Sequence, residues 1–334
     1  MRVEVFLSAC LAAAGLYGAG AVEVAVGEPF ARVPPFPASA SGITHCGGTN
    51  YWVVADDAST GEVGLYRAAI VLSGDGLSVT SATAGERIAL EGCADLEAVA
   101  RDPLTGNVWA ADEKNRTIAE YDPATGARLR FLECPPDLTN TVENLGFESL
   151  AISADGLSLW TANEEATLAD GPRSSFKNGT TVRLVKFVRK GAKDAWRHAK
   201  TVPYTTEKWT LRHDCGKRGR RGVSELCVLP DGSLFVMERE LSSSVKGSGM
   251  AAAMAARFFH ELFRVTADGA KTLLYKSGPE DPGSILSNCE GMCLGPRTAD
   301  GRLSLVMVTD AGDGFTCPQV RPYAISLPAG GSRK

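Results

Sequence analysis

The chain repeats one short pattern four times, and a fifth time in a weaker form. In each copy a small or acidic residue and an apolar run precede a tight turn and an aromatic-bearing strand that ends in acidic or polar residues. The clear copies span residues 41–56, 96–113, 147–164 and 223–239, and the weaker copy spans residues 289–310. Repetition at a period of tens of residues marks an array of like structural units. The unit here is a β-hairpin with carboxylates at one end.

Two further strand-like segments follow the hairpin in three of the copies. Short turns that contain Asp-Gly or Gly-Asn separate the hairpin strands, and these pairs supply the positive φ angles that tight hairpins need. Four antiparallel strands per unit, repeated along the chain, are typical of the blades of a β-propeller. The third strands are predicted at residues 117–121, 181–188 and 261–265, and the fourth strands at residues 128–132, 199–204 and 271–275.

Counting the repeats predicts an all-β protein with five blades. The last blade has only three evident strands, so residues 22–33 are predicted to supply its fourth strand and to close the ring. Closure removes a sheet edge that would otherwise invite aggregation. A sixth blade between Glu148 and Ser224 is the alternative. The predicted blades open at Ser41, Glu97, Glu148, Ser224 and Glu290.

The N-terminus resembles an export signal. Residues 3–21 are mostly apolar, follow Arg2 and end in Ala-Gly-Ala, as in a secretory signal peptide. We therefore predict a signal peptide over residues 1–21 and one domain over residues 22–330, located in the periplasm or outside the cell. A lipoprotein anchored at Cys10 is the alternative. Eight cysteines follow Cys10, which is compatible with disulfides in an exported protein, although their pairing cannot be read from the sequence.

The composition excludes several classes of function. The chain of 334 residues is 44% hydrophobic and 22% charged with a net charge of −4, so neither nucleic-acid binding nor a membrane span is predicted. With four histidines and no Cys-x-x-Cys pair, a zinc site is not expected. The sequence also lacks a Gly-x-Ser-x-Gly elbow, a phosphate-binding Gly-rich loop and a His-Glu-x-x-His pair.

Acidic residues recur at equivalent positions of the repeats. Because the first strand of each propeller blade lines a central channel, Glu97, Glu148 and Glu290 are expected to converge near the axis, with Glu225 as a possible fourth member. Clustered carboxylates raise one another's pKa unless a cation lies among them, and calcium prefers six to eight oxygen ligands. We therefore predict a calcium site. The alternative is that these glutamates accept hydrogen bonds from backbone amides of the adjacent blade. The predicted metal ligands are Glu97, Glu148, Glu290, Glu113 and Asp310.

Three segments resemble a known family. Residues 147–156, 229–232 and 236–239 are similar to the phytase-like family named for "esterase-like activity of phytase", and the resemblance extends from about residue 41 to residue 327. It implies an exported β-propeller that hydrolyses phosphoesters or carboxyl esters. Ser41 and Ser224 stand where other copies have glutamate, so the acidic ring is incomplete.

The acidic strand ends and nearby cations suggest a hydrolytic site. We predict a calcium-assisted hydrolase of small anionic or ester substrates, with Glu164, Glu238 and Arg239 as catalytic residues. Arg239, Arg101 and Lys114 are predicted to bind the substrate, since arginine offers phosphate a bidentate fork. The alternative is a non-catalytic extracytoplasmic propeller that binds a ligand or protein partner, because propeller folds host both kinds of function.

Overall fold

The computed structural model describes residues 22–34, 36–57, 59–141, 146–215, 219–278, 287–311 and 318–327. These residues form a five-bladed β-propeller in which every blade is one antiparallel sheet. The predicted fold and blade number are confirmed, because residues 148–224 contribute one blade and not two. The predicted signal peptide, residues 1–21, lies outside the described residues.

The strands of each blade are given from the channel outwards. The first blade contains β3 (Ala40–Gly47), β4 (Asn50–Ala55), β5 (Gly64–Leu72) and β6 (Val79–Ile88). The second contains β7 (Leu96–Arg101), β8 (Val108–Asp112), β9 (Thr117–Tyr121) and β10 (Arg128–Phe131). The third contains β11 (Phe147–Ile152), β12 (Ser158–Asn163), β13 (Thr181–Val188) and β14 (Arg197–Thr205). The fourth contains β15 (Arg220–Val228), β16 (Leu234–Ser243), β17 (Ala256–Val265) and β18 (Lys271–Lys276).

The N-terminal segment completes the fifth blade. Its first three strands are β19 (Asn288–Arg297), β20 (Leu303–Asp310) and β21 (Gln319–Ser326), and β1 (Glu23–Val26) pairs with β21 as the fourth. A short strand, β2 (Phe30–Ala31), also pairs with β21. The prediction that residues 22–33 close the ring is therefore confirmed. Joining the two ends of the chain in one sheet ties the last blade to the first part of the chain.

Burial explains why most residues of the inner strands are apolar. In β7 the five residues before Arg101 are all buried, because the strand packs against blades on both sides. Outer strands alternate instead: β13 exposes or half-exposes every second residue over much of its length. The repeated tryptophans fill the spaces between blades. Trp109 is 1% exposed and joins one cluster with Leu150 of the next blade, and Trp160 joins a cluster with Leu226.

Helical structure is confined to two short elements in the described chain. A 3-10 helix, η1 (Pro136–Leu138), precedes the third blade, and α1 (Met250–Met254) lies in the β16–β17 connection. No helix among the described residues has the length and apolarity to cross a membrane. No two of the described cysteines form a disulfide.

Candidate functional site

The same irregularity recurs in the inner strand of every blade. Each inner strand carries a β-bulge, in which one extra residue interrupts the pairing with the second strand. A bulge re-aims the side chain of the extra residue. The bulged residues are Ser41, Glu97, Glu148, Ser224 and Glu290, in order of the blades. The position at which the sequence repeats were aligned is therefore a β-bulge in all five blades.

The three bulged glutamates come together, as the sequence predicts. Burial, together with the charges of Glu148 and Glu290, raises the pKa of Glu97 well above its ordinary value. Burial likewise raises the pKa of Glu148, and Glu164, Glu113 and Glu290 add to the increase. Residues from the second, third and fifth blades therefore share one buried environment at the channel mouth.

A second set of side chains surrounds these glutamates. In the first three blades, each of these side chains belongs to the residue that follows the second strand. In the fourth and fifth blades, the equivalent residue lies within the second strand, where Arg239 is opposite Gly222 and Asp310 is opposite Asn288. Four of the five are acidic and one is an arginine. This set consists of Asp56, Glu113, Glu164, Arg239 and Asp310.

We call the whole assembly the acidic mouth. It contains eight carboxylates and two guanidinium groups within the described chain, so negative charge exceeds positive charge when all groups are ionised. Its members are Asp56, Asp95, Glu97, Glu113, Glu148, Glu164, Glu290 and Asp310, with Arg220 and Arg239.

Arg239 is the central cation of the acidic mouth. One terminal nitrogen donates to Glu164 Oε1 at 2.6 Å, and the other donates to Asn288 Oδ1 at 2.8 Å. This second nitrogen also forms an ion pair with Glu290 Oε1 at 2.9 Å. Arg220 reaches the second oxygen of Glu164 at 3.2 Å. Burial opposes the charge of Arg239, but Glu290 and Glu164 outweigh it and raise its pKa, so the guanidinium stays protonated. Arg239 therefore neutralises part of the negative charge of the mouth, and its two terminal nitrogens are already paired with protein groups.

Gly222 permits this arrangement through a close approach. A Cβ built on Gly222 would lie 2.4 Å from the backbone oxygen of Glu164. The Val223 amide donates to that same oxygen at 2.9 Å, which joins the third blade to the fourth. Only a residue without a side chain lets the two strands meet at this distance.

Several carboxylate oxygens in the mouth lack a partner within the described residues. They are buried, and they include Asp56 Oδ1, Glu113 Oε2 and Glu290 Oε2. Burial first, and then neighbouring acids, raise the pKa of Asp56 to about 7, that of Glu113 to about 7 and that of Asp95 to about 6. Unsatisfied buried carboxylates favour either a proton or a bound cation.

One group of carboxylates has the spacing of a cation site. Asp56, Asp95 and Glu97 each offer an oxygen, and these oxygens lie within 4.8 Å of one another. An all-oxygen donor set suits calcium better than zinc, which prefers nitrogen and sulfur. The residues present therefore fit calcium. Asp95 was not among the predicted ligands, although it lies only two residues before Glu97.

Glu225 does not belong to the mouth. Its Oε1 accepts hydrogen bonds from the amides of Leu150 at 3.1 Å and of Leu226 at 2.9 Å. Leu150 lies in the neighbouring blade, so Glu225 joins the two blades. The alternative interpretation proposed for Glu97 and its equivalents thus describes Glu225, which follows the bulged residue Ser224 by one position.

The structure also places Glu238 away from the mouth, which corrects its predicted position there. Side chains alternate along a strand, so Glu238 lies on the opposite face of β16 from Arg239. It accepts from Tyr204 at 2.6 Å, from Arg221 at 2.7 Å and from Lys271 at 2.7 Å, and the amide of residue 207 is a further donor. Arg221 is buried and pairs with Glu240 and Glu261 as well. Glu238 therefore belongs to an ion network inside the fourth blade.

The predicted substrate-binding cations are separated. Arg101 ends β7 while Glu97 lies near its start, so about 13 Å of extended chain divides them. Arg101 instead lines a cavity of about 220 Å³ with Thr44 and His45 at the far end of the channel. The prediction that Arg101 lies beside the acidic residues is therefore wrong. Lys114 is exposed and partly offsets the rise in the pKa of Asp95 that burial and Asp112 cause, so Lys114 lies on the rim of the mouth.

Comparison with known proteins adds a family match and general fold similarities. A family model described as "Phytase-like: Esterase-like activity of phytase" matches residues 36–311. No curated protein matches the chain. A PQQ-bound aldose sugar dehydrogenase from Streptomyces coelicolor is 12% identical over 92% of this chain and 99% of that chain, with a TM-score of 0.43. A periplasmic gluconolactonase from Pseudomonas aeruginosa is 12% identical over 86% of this chain and 88% of that chain, with a TM-score of 0.39.

Proposed function

The chain belongs to the phytase-like family, and from that premise we propose that it is an exported, calcium-assisted hydrolase of phosphoesters or related esters. One observation carries the proposal: buried carboxylates from separate blades meet around one axis, and several of their oxygens have no partner within the described residues. The apolar N-terminal run supports export to the periplasm or beyond.

The residues of the mouth divide into a few roles. Asp56, Asp95 and Glu97 would hold the calcium ion, with the remaining mouth carboxylates around them. When bound, calcium would supply electrostatic attraction for an anionic ester and would lower the pKa of a water molecule. Glu164 positions Arg239 by a direct ion pair. Lys114, exposed on the rim, would attract the anionic group of the substrate.

An activity assay with matched variants tests this proposal. Purified protein would be given p-nitrophenyl phosphate, phytate and short-chain p-nitrophenyl esters, each with calcium and with a chelator. We expect the chelator to abolish turnover, and Glu97→Gln to reduce it by about tenfold or more. Asp300→Asn is the control, because Asp300 pairs with Arg302 in an exposed turn outside the mouth. Turnover that neither the chelator nor Glu97→Gln changes would contradict the proposal.

A specific observation favours a second function, a non-catalytic binding protein. Within the described mouth, both guanidinium groups already pair with Glu164, and the second terminal nitrogen of Arg239 also pairs with Glu290, so Arg239 offers no free pair of terminal nitrogens to phosphate. In that case calcium would serve structure, and the propeller would bind a ligand or a protein partner. The same assay separates the two functions: calcium would raise the melting temperature, but none of the esters would be turned over.

A further inference from the structure

A second cavity lies on the same face of the propeller as the acidic mouth. It has a volume of about 710 Å³ and is surrounded by three loop segments: residues 164–180, residues 206–215 and the β16–β17 connection. The first loop follows Glu164 of the mouth, and the second leads into Arg220 of the mouth. Both openings therefore face the same side of the ring. We call this cavity the loop pocket, with Phe176, Lys177, Trp209, Arg212 and Lys246 in its lining.

The charge of the loop pocket is opposite to that of the mouth. Lys177, Arg212 and Lys246 are exposed cations, and His213 lies between them in the lining. Asp214 is the only acidic residue among the described lining residues. Lysine and arginine form charge-assisted hydrogen bonds with phosphate oxygens, and arginine does so with two parallel donors. This composition favours an anion, which the calcium-free acidic mouth would repel.

Aromatic side chains provide a second kind of contact in the loop pocket. The guanidinium of Arg212 lies over the ring of Phe176, 5.3 Å from its centroid, so the cation and the aromatic ring are neighbours in the pocket. Trp209 is mostly buried and donates from Nε1 to Ser174 Oγ at 3.0 Å. A Cβ on Gly219 would come within 2.7 Å of the Trp209 ring, which shows how tightly the ring is enclosed. Such a wall suits a planar or apolar body.

Backbone pairing holds the cationic loops together. His213 and Ser243 exchange two backbone hydrogen bonds, at 3.0 Å and 2.7 Å. Two residues further on, Cys215 forms an isolated bridge with Gly247. Arg212 and Lys246 therefore lie next to paired residues, each on a different loop. Because the two loops are already paired, a ligand that contacts both Arg212 and Lys246 would bind at a smaller cost in conformational entropy than on two mobile loops.

We propose that the loop pocket binds a small phosphorylated organic molecule. Lys177, Arg212 and Lys246 would bind the phosphate group, and the organic body would lie against Phe176 and Trp209. The volume falls within the range of about 300–1,000 Å³ that small-molecule sites occupy. The loop pocket shares none of its described lining residues with the acidic mouth, so the inference holds whether or not the mouth is catalytic.

Titration calorimetry in the presence of a chelator tests the loop pocket without any contribution from calcium. The probes are phenyl phosphate, which carries a planar body, and inorganic phosphate, which carries none. We expect the native protein to bind phenyl phosphate more tightly than inorganic phosphate. The double variant Arg212→Gln/Lys246→Gln should weaken both affinities by about tenfold or more. Phe176→Ala should weaken phenyl phosphate binding by about fivefold and change phosphate binding less.

The control removes the same charge elsewhere. Lys190→Gln/Arg197→Gln alters two exposed cations on the outer part of the third blade and should leave both affinities unchanged. Melting temperatures of all variants should match that of the native protein, since the altered side chains are exposed or at the pocket surface. The proposal is overturned if the native protein binds neither probe. It is equally overturned if the pocket variant binds as tightly as the native protein, or if the control loses as much affinity as the pocket variant.

Discussion

Replacing Glu113 by glutamine should stabilise the calcium-free protein at alkaline pH. Burial and the charge of Glu164 raise the pKa of Glu113 from 4.5 to about 7. A carboxyl whose pKa is raised on folding stabilises the fold while it is protonated. That stabilisation is fully present below pH 4.5 and is lost as the pH rises through about 7. Above pH 7 the fold must accommodate an unfavourable charge, whereas glutamine remains neutral.

The magnitude follows from the size of the pKa change. A shift from 4.5 to about 7 corresponds to about 3 kcal/mol between the two protonation states. The glutamine side chain would keep an acceptor for the Gly146 amide, which now donates to Glu113 Oε1. For a chain of this size the change corresponds to a melting temperature about 4 °C higher.

Calorimetric melting in a chelator at pH 5 and at pH 8 measures this effect. We expect Glu113→Gln to melt close to the native protein at pH 5 and well above it at pH 8. The variant Glu133→Gln serves as a control, because it removes an acidic side chain from outside the mouth. If Glu113→Gln melts at or below the native temperature at pH 8, the carboxylate is not destabilised by its surroundings, and the reasoning fails.

Three further changes test other parts of the structure. Arg239→Gln removes the buried cation that pairs with Glu290 and leaves Glu164 paired with Arg220 alone, so the free energy of unfolding in urea should fall by about 3 kcal/mol or more. A fall below about 1 kcal/mol would contradict this. His260 is buried and its pKa is lowered to about 3, so stability should be lost as the pH falls below 6.5, by about 2 kcal/mol at pH 5. In urea unfolding, the variant His260→Gln should not show this loss of stability at low pH. If the variant keeps the pH dependence of the native protein, the explanation is wrong. Gly222→Ala should lower the free energy of unfolding by about 1–3 kcal/mol, because the new methyl group meets the backbone of Glu164. An unchanged urea midpoint would contradict this, because it would mean that the two backbones move apart at no cost in stability.

Much of the fold could be predicted because a propeller repeats its sequence along with its structure. The hairpin pattern marked each inner strand, and the missing fourth strand of the last blade pointed to residues 22–33. Equivalent positions meet at the axis, which is why Glu97, Glu148 and Glu290 could be grouped before their contacts were known. Repetition carries this information because it relates residues that are far apart in the chain.

The errors in the site arose where local geometry departs from the simple repeat. Strand alternation directs Arg239 to the mouth and Glu238 away from it, a difference of one position. The bulge at Ser224 similarly directs Glu225 toward the backbone of the next blade. Arg220 could not be assigned, since its pairing with Glu164 depends on how two blades are placed side by side. Arg101 shared a strand with Glu97 but lies at the other end of it.

Calcium titration by calorimetry tests most directly whether glutamates from separate blades form one cation site. The variants Glu97→Gln, Glu148→Gln and Glu290→Gln each change one blade, and Asp300→Asn provides a surface control. We expect the native protein and the control to bind calcium with equal affinity, and each of the three glutamine variants to bind about tenfold or more weakly. Absence of calcium binding by the native protein, or an effect of only one of the three substitutions, would contradict a shared site.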